Sequence, residues 1–436
     1  MAELNRKEMP RLAWGSSLPA VNLLREELPN GDKLTLLAGG EGSAVMLWVY
    51  FPLGEGAGAG RIVASGAFDV LLRGTAMRSD AELSERFDTL GTQVQSFATK
   101  DYGGLQMLST EVAFRESLEL LLESLRVPAY AEQSFLSWRG RTSVGLEVAA
   151  QTPSYVAQRA LWSAMLGEPH RYQTYEMPEN VAEIERGALE QYYRESIAGC
   201  CCHVLACGPA CGEWQQVLRE EFCKRESGRE TPHASAPLVP SRGRRTEIGE
   251  SVQRRQASVQ LGCILPKAGH AGDVDLAILV SLLGGYMGSR LMQKLREEKG
   301  YTYGVSTMAS YFLDGGVLQV SSEVGNNYVA ECVKDIKGEF ARLRDSLADA
   351  EELDRLQSYL HGRLLRSRDG VYATLAGLRV YVLNAGYGVD YPDRYAAALH
   401  SITAERLRAA AAEWLVEERF TLSVAGDAAE FSEVRW

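Results

Sequence analysis

Hydrophobic positions along the chain fall into two regimes. Short apolar runs rich in β-branched and aromatic residues, such as "KLTLL" at 33–37 and "AVMLWVYF" at 44–51, have the length and composition of strands. Elsewhere the spacing is helical. "RESLELLLESLR" at 115–126 brings its leucines onto one face, and Ser79 with Glu82 forms a capping box ahead of "ELSERFDTL". Strands arrive in neighbouring pairs as well as between helices, which predicts an α+β arrangement: an antiparallel-rich sheet with helices packed on one face.

The pattern occurs twice. "VLLRGTAMRSDAELSERFDTLGTQVQSFATKDYGG" from Val70 runs parallel to "SLLGGYMGSRLMQKLREEKGYTYGVSTMASYFLDGG" from Ser281. Both segments pass from a helix through a second helix into a strand pair marked by glycines. "CCCHVLACGPA" from Cys200 and "ERFTLSVAGDA" from Glu418 match in the same order, and Gly140/Gly362 and Gly208/Gly426 are each separated by about half the chain length, as a duplication requires. Between the copies lies "SGRETPHASAPLVPSRGRR", rich in Pro, Ser and Arg and without a period. The predicted organisation is a first repeat at 1–226, a linker at 227–245 and a second repeat at 246–436.

Composition narrows the function. A chain of 436 residues exceeds one ordinary core, and a net charge of −11 repels phosphate backbones, while the basic run "SRGRR" at 241–245 is too short to override it. No nucleic-acid partner is expected. The longest apolar stretch, "AVMLWVYFPL" at 44–53, is half of the ~20 residues that a bilayer span needs, and "MAELNRKEMPRLAWGSS" holds no apolar run of secretory length. A cytoplasmic protein without a membrane partner is expected. Cys200, Cys201, Cys202, His203, Cys207 and Cys211 lack the paired C-x-x-C spacing of a zinc site, and "CCCHVLACG" reads as a buried strand ending in a glycine turn. Gly54, Gly56 and Ala59 satisfy the G-x-G-x-x-A spacing of a dinucleotide loop, but two helices follow where a second parallel strand is required. The run at 54–60 reads as a connecting loop, with a nucleotide-dependent enzyme as the reading it would otherwise support.

The six histidines, at 170, 203, 233, 270, 361 and 400, are isolated, and none occurs in the first 169 residues. Two imidazoles one helical turn apart are what an H-x-x-E-H peptidase uses to grip zinc, so this chain cannot build that helix. The rest of such a protein is nevertheless present. The duplicated half, "LLRGT" after a short helix, "VGLEV" about 70 residues later and above all "GSRLMQKLREEKGYTYGV" at 288–305 resemble the insulinase or pitrilysin family of zinc peptidases, the inverted zincins.

That resemblance implies two homologous α/β-sandwich halves. Counting back from Gly74 and Thr75, it places the family's H-x-x-E-H positions at Ser65, Phe68 and Asp69, with the distal glutamate near Glu147. No metal and no other cofactor is therefore expected in this chain. It also matches the family's arginine and tyrosine, seven residues apart, to Arg296 and Tyr303. Guanidinium and phenol are hydrogen-bond donors suited to a substrate carbonyl and its developing oxyanion. Read without the resemblance, Arg296 is a solvated residue on a "REEK" face and Tyr303 a strand residue covering a core. Arg290 and Tyr301 read as structural, the first holding a carboxylate and the second packing.

In the short members of that family two chains enclose a peptide chamber, one carrying zinc and the other the Arg/Tyr pair. The resemblance thus implies a metal-free subunit with a peptide substrate, a homologous zinc-bearing partner subunit and no activity alone; self-pairing of the isolated chain is compatible with it. The alternative is an inactive scaffold or peptide-binding homologue, like the core subunits that respiratory complexes derive from this family.

Overall fold

The computed structural model describes residues 18–436 except 41, 54–59, 168–169, 174–175, 232–234, 236, 240–244, 254 and 385. The Gly54, Gly56, Ala59 run lies outside the described residues. Alternation in the strands sets the layers. In β3 (Ala44–Pro52), Val45, Leu47, Val49 and Phe51 are sealed under helices, while Met46, Trp48 and Tyr50 point to the opposite face.

The first sheet adds β1 (Leu24–Glu27), β2 (Lys33–Ala38), β4 (Gln93–Ala98), β5 (Tyr102–Thr110) and β6 (His203–Gly208), in the order β1-β2-β6-β3-β5-β4. The second contains β7 (Arg245–Glu250), β8 (Ala257–Leu265), β9 (Thr302–Phe312), β10 (Gly315–Val324) and β11 (Thr421–Gly426), in the order β7-β11-β8-β10-β9. Each has one parallel pair, β2 with β6 and β7 with β11, and is otherwise antiparallel. From β2 onward the first sheet has the order and pairing sense of the second. The expected fold class is what the molecule shows: two α/β halves, each an antiparallel-rich sheet with a helical layer. The cysteine-rich run reads as expected too, with β6 beginning at His203 and Cys202 and Cys207 buried as free thiols.

One feature goes beyond the expected layering, because each sheet's second face is touched by a helix from the other half. Helix Pro153–Leu166, of the first half, lies on β8, β11 and β7. Gly262 of β8 permits the approach: a Cβ there would come 2.7 Å from Met165 Sδ. Reciprocally, helix Gly370–Leu383 packs Leu375 against Trp48, Leu37 and Leu205 of the first sheet, and the Tyr372 hydroxyl donates to the Ala44 carbonyl at 2.6 Å. The β4–β5 and β9–β10 turns also meet. Tyr172 donates to Asp101 Oδ1 at 2.7 Å, and the Leu313 amide donates to Asp101 Oδ2 at 3.0 Å. Of the segment expected as a linker, Leu238 is buried against Ile264 and Val317 of the second sheet.

Candidate functional site

The second half presents a hollow of about 620 Å³ on the face of its sheet that helix Pro153–Leu166 partly covers. Its floor is polar because the strand positions facing away from the helical core are polar: Gln319 of β10 donates to Gln260 of β8 at 2.9 Å, and Ser306 and Ser321 share a hydrogen bond at 2.8 Å. Glu323 also lines it, its carboxyl raised above the usual range by burial and eased back by Ser258. Ser154 and Gln158, one turn apart on the crossing helix, close one side.

Arg296 and Tyr303 both line this hollow. Arg296 stands on a π-helical turn, Met292–Glu298, anchored by the buried Met292 and Leu295. Such turns are rare and concentrate at functional sites. Its Nη1 donates to Met287 Sδ at 3.2 Å and its Nε lies 3.7 Å from Glu297, so the side chain remains 38% exposed. Gly300, at φ 64°, ends the turn in a left-handed conformation. Two residues later β9 begins, and Tyr303 projects from it with 90% of its surface exposed. Next to them the two residues read as structural are structural: Arg290 grips Glu352 with two hydrogen bonds of 2.8 Å, and Tyr301 stacks on Tyr328 at 4.7 Å.

The corresponding positions of the first half do not converge on an open site. Phe68 on helix Gly60–Leu71 is fully buried, with the rings of Phe51 and Tyr192 centred 5.9 and 6.5 Å away. Gly103 makes room for it, since a Cβ there would stand 2.2 Å from the Phe68 ring. Ser65 is exposed, Asp69 is engaged by Arg141 at 3.0 Å and Arg73 at 3.7 Å, and the exposed Glu147 accepts from Ser143 Oγ at 3.4 Å. These residues do not fit a zinc ion, and among the described residues no group of three His, Cys, Asp or Glu side chains could hold a metal.

The family resemblance pointed to Arg296 and Tyr303 but not to their surroundings. Met287, Glu323 and the pair Ser154 and Gln158 came from three separate segments; the one signal available was Ser154 and Gln158 recurring at i, i+4 on one helix. Among the described residues no helix is long and apolar enough to cross a membrane.

Comparison with known proteins gives a consistent account. A family model described as "Peptidase M16 inactive domain" matches residues 185–360. The chain is 22% identical over 308 residues to the uncharacterized zinc protease YmxG of Bacillus subtilis, covering 70% of this chain and 74% of that one. It is 24% identical over 373 residues to the uncharacterized zinc protease SCO5738 of Streptomyces coelicolor, covering 82% and 79%. In fold it is similar to a peptidase M16 inactive domain from Pseudomonas fluorescens, with a TM-score of 0.83 at 19% identity, over 93% of this chain and 98% of that one. A protease from Helicobacter pylori gives a TM-score of 0.84 at 16% identity, over 93% and 99%. Set beside the repeated sheets and the 288–305 motif, these likenesses make the chain similar to the insulinase- or pitrilysin-like (M16) peptidases in sequence and in fold.

Proposed function

We propose that this chain is the non-metal subunit of a two-component insulinase-like peptidase, binding a peptide and orienting its scissile carbonyl for a homologous zinc-bearing partner subunit. One observation carries the reading. Arg296 and Tyr303 face one polar hollow large enough for a stretch of peptide, while Ser65, Phe68 and Asp69 are a surface hydroxyl, a core ring and a carboxylate already held by two arginines. In this scheme the Arg296 guanidinium and the Tyr303 hydroxyl donate to the carbonyl oxygen of the bond to be cut, and the hydrolytic water comes from the partner's zinc site.

Tyr303 is exposed in the single chain, and a donor facing bulk water gains little from a hydrogen bond. Closing the hollow with a second chain would remove that water, which is why activity is expected only in the assembled pair. In the complex with a zinc-bearing homologue, Arg296→Ala or Tyr303→Phe is expected to lower turnover about 100-fold, the usual loss for one oxyanion donor, with assembly unchanged on a sizing column. The exposure of Tyr303 also favours the scaffold reading. That reading predicts normal partner binding and normal function for both variants, and such a result would replace the first proposal.

A further inference from the structure

We propose that the second half carries a separate pocket for a small aryl oxyanion, a single aromatic ring bearing a carboxylate or phosphate. It lies among helices Ala350–Arg366, Gly370–Leu383 and Tyr391–Ser401, behind β9, and encloses about 270 Å³. Its residues are not those of the hollow that contains Arg296 and Tyr303, so it does not depend on the peptidase reading.

The first argument is charge. Arg363 and Arg368 both line the pocket, and among the described residues neither side chain has an ion pair or a hydrogen bond. Arg368 is only partly exposed, and its Nε is fully buried without an acceptor. Burial pulls its pKa below the usual arginine value, with Asp393 and Tyr381 acting against the shift. A desolvated guanidinium is ordinarily matched by a carboxylate. This protein does so elsewhere in the same half, where Arg290 is held by both oxygens of Glu352. The pocket leaves that match to a ligand.

The second argument is shape and surface. Tyr311, Tyr381, Tyr387, Tyr391 and Tyr395 line the pocket. Tyr381 and Tyr391 stack with centroids 5.1 Å apart at 23°, and Tyr387 meets both edge-on at 5.1 and 4.6 Å. Flat walls select a flat body, and a guanidinium fork selects a planar or tetrahedral oxyanion. The volume lies at the low end for ligand pockets, which limits the body to one ring.

The test is calorimetric titration of the full chain with benzoate, phenyl phosphate and inorganic phosphate. The expected result is binding of at least one aryl anion more tightly than inorganic phosphate, with the tighter of the two aryl probes identifying the group recognised. Arg368→Gln should weaken that binding about tenfold or more without lowering the melting temperature, whereas Arg366→Gln, an exposed neighbour outside the pocket, should leave it unchanged. Should Arg368→Gln not fold, Arg363→Gln carries the same expectation. Failure of both aryl anions to bind, or equal binding by a folded arginine variant, overturns the proposal.

Discussion

Phe68 carries no exposed surface, and its neighbours Phe51, Tyr192 and Gly103 are shaped around it. Phe68→Ala should cost about 3–5 kcal/mol in a urea melt, because so enclosed a ring leaves a cavity its neighbours cannot fill. Phe68→Glu should be at least as damaging, since it would bury a carboxylate among the aromatic rings of Phe51 and Tyr192. Lys100 gives a pH signature. Burial pushes its pKa down to about 7, Arg61 adds to the fall and Asp101 opposes it; its Nζ donates to the Tyr172 carbonyl at 2.8 Å and lies 3.8 Å from the Trp162 ring centre. The unfolded chain keeps this proton up to about 10.5, so between these two values unfolding takes up a proton and stability rises with pH. Below about 7 the folded state also carries the buried charge, and that advantage is gone. Thermal melts at pH 6.5 and 9 should show this rise in the wild type and a flatter response in Lys100→Met. At this scale the family resemblance in the sequence pointed to Arg296, Tyr303 and, by counting back from Gly74, the position of Phe68. It did not supply Lys100, whose environment comes from Trp162 and Tyr172, far away in the chain.

Among elements, the π-helical turn is the one whose form matters most for the hollow. It is pinned at its start by Arg290, which reaches 62 residues along the chain to Glu352, with both side chains mostly buried. Removing one partner of such a pair strands the other charge, so Arg290→Met should cost about 3–5 kcal/mol in a urea melt and loosen the turn that carries Arg296. That Arg290 holds a carboxylate was legible from its place beside the motif. Which carboxylate was not, because Glu352 arrives through the packing of helix Ala350–Arg366. The sequence likewise announced only a second helix ahead of the strand pair, with no sign of its type. A π turn differs by one extra residue per hydrogen-bonded ring, and nothing in side-chain polarity marks that.

For the whole molecule, repeats in the sequence foretold two alike sheets, and strands arriving in neighbouring pairs as well as between helices foretold the helical layer on one face. The exchange of helices Pro153–Leu166 and Gly370–Leu383 stayed hidden, because an apolar helix face states that it is covered and not by what. Proteolytic nicking within 227–245 should therefore leave two fragments that co-elute from a sizing column in buffer and separate only in denaturant. The same exchange governs how the chain must be made. Trp48 and Tyr50 belong to the first strands synthesised, yet Leu375, which covers them, lies in the last quarter of the polypeptide. Until that helix leaves the ribosome, an aromatic sheet face is open to water, and so is the side of helix Pro153–Leu166 awaiting β8. A nascent chain halted near residue 226 is a ready client for a chaperone, and expressed alone it should aggregate where the full polypeptide stays in solution.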